Sequence, residues 1–233
     1  MQFIENSIIG VRAACIRLSA GPEAPDVCLF PMIHIGSSAY YAEVRRRLST
    51  CDVVLFEGVR SFRAWMITRA YSIATHNKRL GLVQQRHALP VATLSQRKIH
   101  ADVSTDQFHA AWADIPWYQR ALLFFGAPLF GLWLYFTGTR QSIGRRLNTE
   151  EVELNRDFER FELRPELEKM FATTRDLRLV DEVAKAVETS GVGTRIAVLY
   201  GAAHMRIVSR LLTGKYRYRV VESEWIMVFD YQE

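Results

Sequence analysis

Three apolar runs along the chain each end in a polar residue and a glycine. The first, residues 28–33, leads into His34-Ile35-Gly36. The second, residues 53–56, leads into Glu57-Gly58, and the third, residues 196–200, leads into Gly201-Ala202-Ala203-His204. Short apolar runs bounded by turn-forming residues read as buried strands. Three strands of one sheet are therefore expected to deliver His34, Glu57 and His204 to a common edge. In open α/β sheets, ligand sites lie outside the carboxyl ends of the strands.

The pattern between these runs supplies the other elements. Residues 7–19 mix β-branched and polar positions and predict a strand. The turn residues at 21–25 return the chain as a hairpin into the strand at 26–33. Ser37 or Ser38 caps a helix through Leu48, with Tyr40, Tyr41, Val44 and Leu48 inward and Glu43 and Arg45-Arg46-Arg47 on a solvated face. With a strand at 52–57 this forms a βαβ unit. A helix is expected over 60–82, broken near 75–77, then a short strand at 89–94 and a helix over 104–120.

An apolar segment at 121–137 and a charged helical region at 148–172 follow. The latter opens on an Asn148 or Thr149 cap, with Pro165 starting a second helix. An amphipathic helix at 174–189 is expected to turn Leu177, Val180, Val183, Ala184 and Val187 inward. Strand 195–200, helix 204–213 and an edge hairpin from 216–221 and 225–229 complete the chain. The alternation predicts an α/β fold in a single domain over 1–233. Its mixed sheet has a parallel core, antiparallel edge strands and helices on both faces, with a helical insertion at about 100–172.

Composition adds little to this picture. The chain of 233 residues carries a net charge of +5, and no nucleic-acid reader motif accompanies its basic clusters, so no nucleic acid is expected as partner. Cys15, Cys28 and Cys51 form no CxxC pair, Cys15 and Cys28 read as small core residues, and a reducing compartment fits. Glu5 and Arg12 interrupt any leader-type apolar region, so a cytoplasmic location is expected.

The segment 121–137 changes the picture more, because no charge occurs between Arg120 and Arg140. A helix of its length rises about 24–28 Å, short of a hydrocarbon core of roughly 30 Å. Gly126 and Pro128 are placed to bend it. A single span would also put His34 and Glu57 across a membrane from His204. A buried helix, a homo-oligomer interface or a membrane-surface contact is expected instead, the last making the protein peripheral at the membrane.

Two imidazoles and a carboxylate suit a divalent metal (Mn, Co or Zn), with water in the open positions. A histidine paired with a glutamate also serves as a general base without metal. Taken separately, the three side chains are capping or core groups. Arg175, beside Asp176, suits a substrate anion or a developing oxyanion, or forms a helix-surface ion pair. His76, His87, His100 and His109 lack metal-type spacing and read as surface or structural residues. No HExxH, P-loop, GxSxG elbow or post-strand GxGxxG occurs, which leaves zincins, P-loop hydrolases and α/β-hydrolases without support.

The stretches IHIGSSAYYAEV, DVVLFEGV, TTRD and YGAAHM, with the closing ESEWIMVFD, resemble the TraB/Tiki family. That family is distantly related to erythromycin esterases and ChaN-type haem-binding proteins. The first GxxH motif departs from the family pattern, with Pro31 in the glycine position. The resemblance implies a metal-supported hydrolase site in which His34, Glu57, Arg175 and His204 face one cleft. The metal is held by His34, Glu57 and His204, and the substrate is a peptide or small molecule. The alternative is a non-catalytic protein that binds haem, metal or a small ligand. A metal-dependent hydrolase of metallopeptidase type is the leading expectation.

Overall fold

The computed structural model describes residues 1–59, 61–147 and 174–232. The helices expected over 148–172 lie outside the described residues. The chain folds as α/β, with a mixed sheet surrounded by helices.

The sheet begins with β1 (Ile4–Asn6), β2 (Gly10–Ser19) and β3 (Asp26–Met32). The expected hairpin is present: β2 and β3 are antiparallel with Ile16 opposite Leu29. After His34 the short β4 (Ile35–Gly36) leads directly to the cap of a helix, three residues on. Ser37 caps α1 (Ser38–Leu48), accepting a hydrogen bond from Tyr40 N at 3.1 Å. Such a cap is worth about 1 kcal/mol. As the spacing predicts, α1 buries Tyr40, Tyr41, Val44 and Leu48. Its basic end is less solvated than expected, because Arg47 pairs with both Glu43 and Glu224.

β5 (Val53–Phe56) follows, parallel to β3. The two strands are not neighbours, because β8 (Arg195–Gly201) lies between them and pairs in parallel with both. Leu199 sits opposite Phe30 on one side and Phe56 on the other. β8 thus occupies the middle of the parallel core, with Ile196 through Tyr200 all buried.

Sequence expectations fail at polar edges. The strand expected at 89–94 is a 3₁₀ turn at Val91–Thr93. The strand that pairs with β5 is instead β7 (Arg97–His100), largely exposed and polar. As an edge strand it faces solvent and carries no apolar run. The hairpin expected at 216–229 is one continuous strand, β9 (Arg219–Asp230), antiparallel to β2 along its full length. Its first seven residues are exposed, which hides the pattern. The small β6 (Val83–Gln84) pairs with β4.

The helical part comprises α2 (Phe62–Thr75), α3 (Gln85–Ala88), α4 (Thr105–Asp114), α5 (Trp117–Thr137) and α6 (Arg140–Arg145). The expected break after Thr75 is present, followed by a 3₁₀ turn capped by Asn77. A second break, at Ile115-Pro116, parts α4 from α5.

Helix α5 packs along α2 through Gly131, where an added Cβ would meet Ala70 Cα at 2.7 Å and Ala70 O at 2.8 Å. Backbone cannot yield as a side chain can. Gly131→Ala is expected to cost about 1–3 kcal/mol, read as a lowered denaturant midpoint; an unchanged midpoint would mean the two helices do not pack so closely.

The chain closes with α7 (Thr174–Thr189) before β8 and α8 (Met205–Arg210) after it. The inward face of α7 is Leu179, Val183, Ala186 and Val187, while Leu177 is exposed. The expected face is therefore rotated, since only Val183 and Val187 are shared with it. That rotation turns the first turn of α7 toward the carboxyl edge of the sheet.

Candidate active site

Parallel pairing aligns the carboxyl ends of β3, β5, β7 and β8. Met32 is opposite Gly201, and Phe56 is opposite both Leu199 and His100. The next residues of each strand therefore emerge at one edge: His34, Glu57, Asp102 and His204. Helix α7 starts over the same edge and contributes Arg175 and Asp176.

Asp102 is the buried centre of this arrangement, with a side chain of 0% exposure. Its Oδ1 accepts from Arg175 Nε at 2.8 Å and Val103 N at 2.8 Å. Its Oδ2 accepts from Arg175 Nη2 at 2.8 Å and Gly58 N at 3.0 Å. Burial alone would raise its pKa, but the two-pronged Arg175 contact and the backbone donors hold the carboxyl below its ordinary value. Gly58 presents its N–H from a φ of 149°, a conformation that L side chains rarely adopt. His100 Nε2 donates to Gly58 O at 2.7 Å, a structural role for a histidine at the end of the edge strand.

Arg175 also donates through Nη2 to Glu57 Oε2 at 3.2 Å, and its guanidinium lies 5.5 Å from the Tyr200 ring centre. Burial opposes the guanidinium charge, but Asp102, Tyr200 and Glu57 together push its pKa above the ordinary value. Burial pushes the Tyr200 phenol up as well. Arg175 is thus a clamp joining two carboxylates from different strands, with Nε and Nη2 both engaged.

The other oxygen of Glu57 is left open. Oε1 is buried and has no hydrogen-bond partner among the described residues. A buried acceptor in this state costs about 1–3 kcal/mol, so its retention calls for a ligand or water. Beside it, His204 Nδ1 lies 2.6 Å from Asp176 Oδ1. A carboxylate only accepts, so Nδ1 carries the proton and Nε2 keeps its lone pair when the ring is neutral. The His204 ring stands edge-on to Tyr200 with centroids 5.1 Å apart.

Gly201 leaves the space between these groups. A Cβ there would lie 3.3 Å from Glu57 Oε2, 3.7 Å from Glu57 Oε1 and 3.5 Å from His204 Cδ2. The glycine that follows the third apolar run is thus the floor between an open carboxylate oxygen and the imidazole edge that bears Nε2.

Of the sequence-predicted site residues, Glu57 and Arg175 are in direct contact, and His204 is their neighbour across Gly201. His34 is at the end of β3, exposed, with Nδ1 3.3 Å from Gln85 Oε1 at the start of α3. Among the described residues, no group of three or more His, Cys, Asp or Glu side chains is placed to hold a metal ion. As placed, His34, Glu57 and His204 do not fit the metal that the resemblance implies, and the cation between the carboxylates is a guanidinium.

Sequence reasoning missed Asp102. Its strand was not recognised, and the only available signal was a carboxylate two residues after His100. Comparisons with protein-family models, with curated proteins and with solved structures find no match. The TraB/Tiki resemblance therefore rests on its motifs.

Proposed function

We propose that the protein is a hydrolase in which His204, oriented by Asp176, is the general base and Glu57 positions the attacking water. The observation that carries this reading is the open, buried Glu57 Oε1 beside a histidine whose tautomer a carboxylate fixes.

In the first step, water donates one hydrogen bond to Glu57 Oε1 and gives its other proton to His204 Nε2. Its oxygen forms a bond to the carbonyl carbon of an ester or amide as the C=O π pair moves onto the carbonyl oxygen, and that pair re-forms the C=O when the leaving group departs. Asp176 stabilises the resulting imidazolium. In the second step the carbon–heteroatom bond breaks, and the imidazolium returns the proton to the leaving alkoxide or amine. The products are a carboxylic acid and an alcohol or amine, and His204 is neutral again. Arg175 holds Glu57 in position and touches no reacting atom.

A metal-dependent route is the second reading, favoured by the same open oxygen, which can serve as a metal ligand. It requires His34 to leave Gln85 and join Glu57 and His204. The identity of the substrate is tested with a panel of ester and peptide substrates, wild type beside His204→Ala. Turnover by the wild type that falls about 10²–10⁴-fold in the variant supports the hydrolase. Equal rates in both proteins, or no turnover across the panel, would reject it in favour of ligand binding without chemistry.

A further inference from the structure

Helix α5 wears its apolar face outward. Tyr118, Leu122, Phe125, Leu129, Trp133 and Phe136 are all exposed, the most open being Phe136 at 73% and Phe125 at 66%. At 3.6 residues per turn these six fall in a stripe about 80° wide. The residues buried against the protein are Gln119, Gly131 and Leu134. A helix covering a soluble core shows the reverse arrangement. The adjoining helix α2 adds exposed Phe62 and Trp65.

By length and composition α5 can cross a membrane, but both its ends are fastened to the same body. Before it, Ile115 is buried with Val103, Phe108 and Trp112. After it, buried Arg140 donates to Leu80 O at 2.7 Å and pairs with Asp230 at 3.0 Å. A span would place these anchors on opposite sides of a bilayer, although β7 and β8, before and after α5 in the chain, belong to one sheet. The helix is therefore placed to lie along a surface.

Charge identifies the surface. Residues 58–101 and 115–149 contain no Asp or Glu and hold twelve of the thirty Lys and Arg residues. These stretches carry +12, and the rest of the chain, with eighteen cations against twenty-five carboxylates, carries −7. Cations stand among the aromatic rings. Arg146 lies 5.3 Å from the Phe130 ring centre and 5.4 Å from that of Trp133. Arg69 lies 5.1 Å from that of Trp65. Exposed Lys78 and Arg79 follow Asn77, whose Nδ2 donates to Tyr135 O at 2.8 Å near the end of α5.

We propose that this face docks on an anionic lipid surface. Helix α5 lies at the boundary between headgroups and acyl chains, and the flanking cations meet lipid phosphates. A second copy of the chain would bring the same cations, Arg69, Lys78, Arg79 and Arg146, face to face. A nucleic acid would satisfy the charge and leave the phenylalanine and leucine stripe against a polyanion. The inference does not rest on the catalytic reading, since none of these residues belongs to the Glu57–His204 site.

Flotation of the protein with vesicles tests it. One set is phosphatidylcholine alone, and the other contains about one third phosphatidylglycerol. The protein is expected to float with the anionic vesicles and remain behind with the neutral ones. Arg79→Ala and Arg146→Ala are each expected to lower partitioning about fivefold. Phe125→Asp and Leu129→Asp are expected to abolish it while keeping the wild-type circular dichroism, because both positions are exposed. Four outcomes would overturn the proposal. Two are absence of flotation with either vesicle and equal flotation with both. The others are a dimer that Leu129→Asp dissociates, and binding to duplex DNA that Phe125→Asp leaves unchanged.

Discussion

Arg175→Ala is expected to remove about 3–5 kcal/mol of stability, because it strands a buried carboxylate. Asp102 is fully buried and receives two of its four hydrogen bonds from Arg175. Glu57, with a side chain 9% exposed, loses its ion pair at the same time. Arg175→Lys keeps the charge without the planar fork and is expected to fall between the two.

The pH dependence separates this cause from a packing defect. In the wild type, Asp102 has a lowered folded-state pKa. Its contribution is present above the unfolded carboxylate value and is lost as pH falls through the lowered folded value. In Arg175→Ala the backbone donors of Gly58 and Val103 remain, but without the guanidinium burial outweighs them and raises the folded value, so the folded state takes up a proton and regains stability on acidification. The gap between wild type and variant is therefore expected to be widest near neutral pH and to narrow as pH falls. Denaturant midpoints measured across that range check it. A gap independent of pH would mean that the ion pair is not the source.

Asp176→Asn is expected to have the opposite character, with a large loss of rate and a small loss of stability. The Asp176 side chain is 31% exposed, and an ion pair so open to water contributes on the order of 1 kcal/mol or less. Its value lies in holding the proton on His204 Nδ1. An amide turned to present its NH₂ selects the other tautomer and removes the lone pair from Nε2. The expected loss in kcat is about 10²–10⁴-fold with KM and the denaturant midpoint nearly unchanged. A variant with wild-type kcat would show that His204 is not the base, whatever else the site does.

Much of this edge was legible in the sequence because buried strands announce themselves. Residues 53–56 and 196–200 are continuous apolar runs, and the residue types that follow them emerge at the edge as expected. The capped helix at Ser37 was legible for a similar reason, with four inward positions at helical spacing. What the sequence hid has a common cause. β7 and most of β9 face solvent, so neither carries the alternation that marks a strand, and with β7 went Asp102. The turn of α7 was misjudged because Leu177 and Val180 fit an apolar stripe almost as well as Leu179 and Ala186. The insertion of β8 between β3 and β5 is a choice of neighbours that local pattern does not encode. The uncharged apolar run located α5 but did not say that its apolar side faces away from the protein.

In the proposed reaction water is activated by His204 and Glu57, with Arg175 as the resident cation. The measurement that tests it most directly is turnover of a panel substrate by protein stripped of divalent ions, with metal content determined on the same sample. Turnover is expected to persist without metal and to be lost in Glu57→Gln and His204→Ala. Turnover that disappears with the metal and returns on adding Mn, Co or Zn would rule out the metal-free reaction and bring His34 into the reacting site.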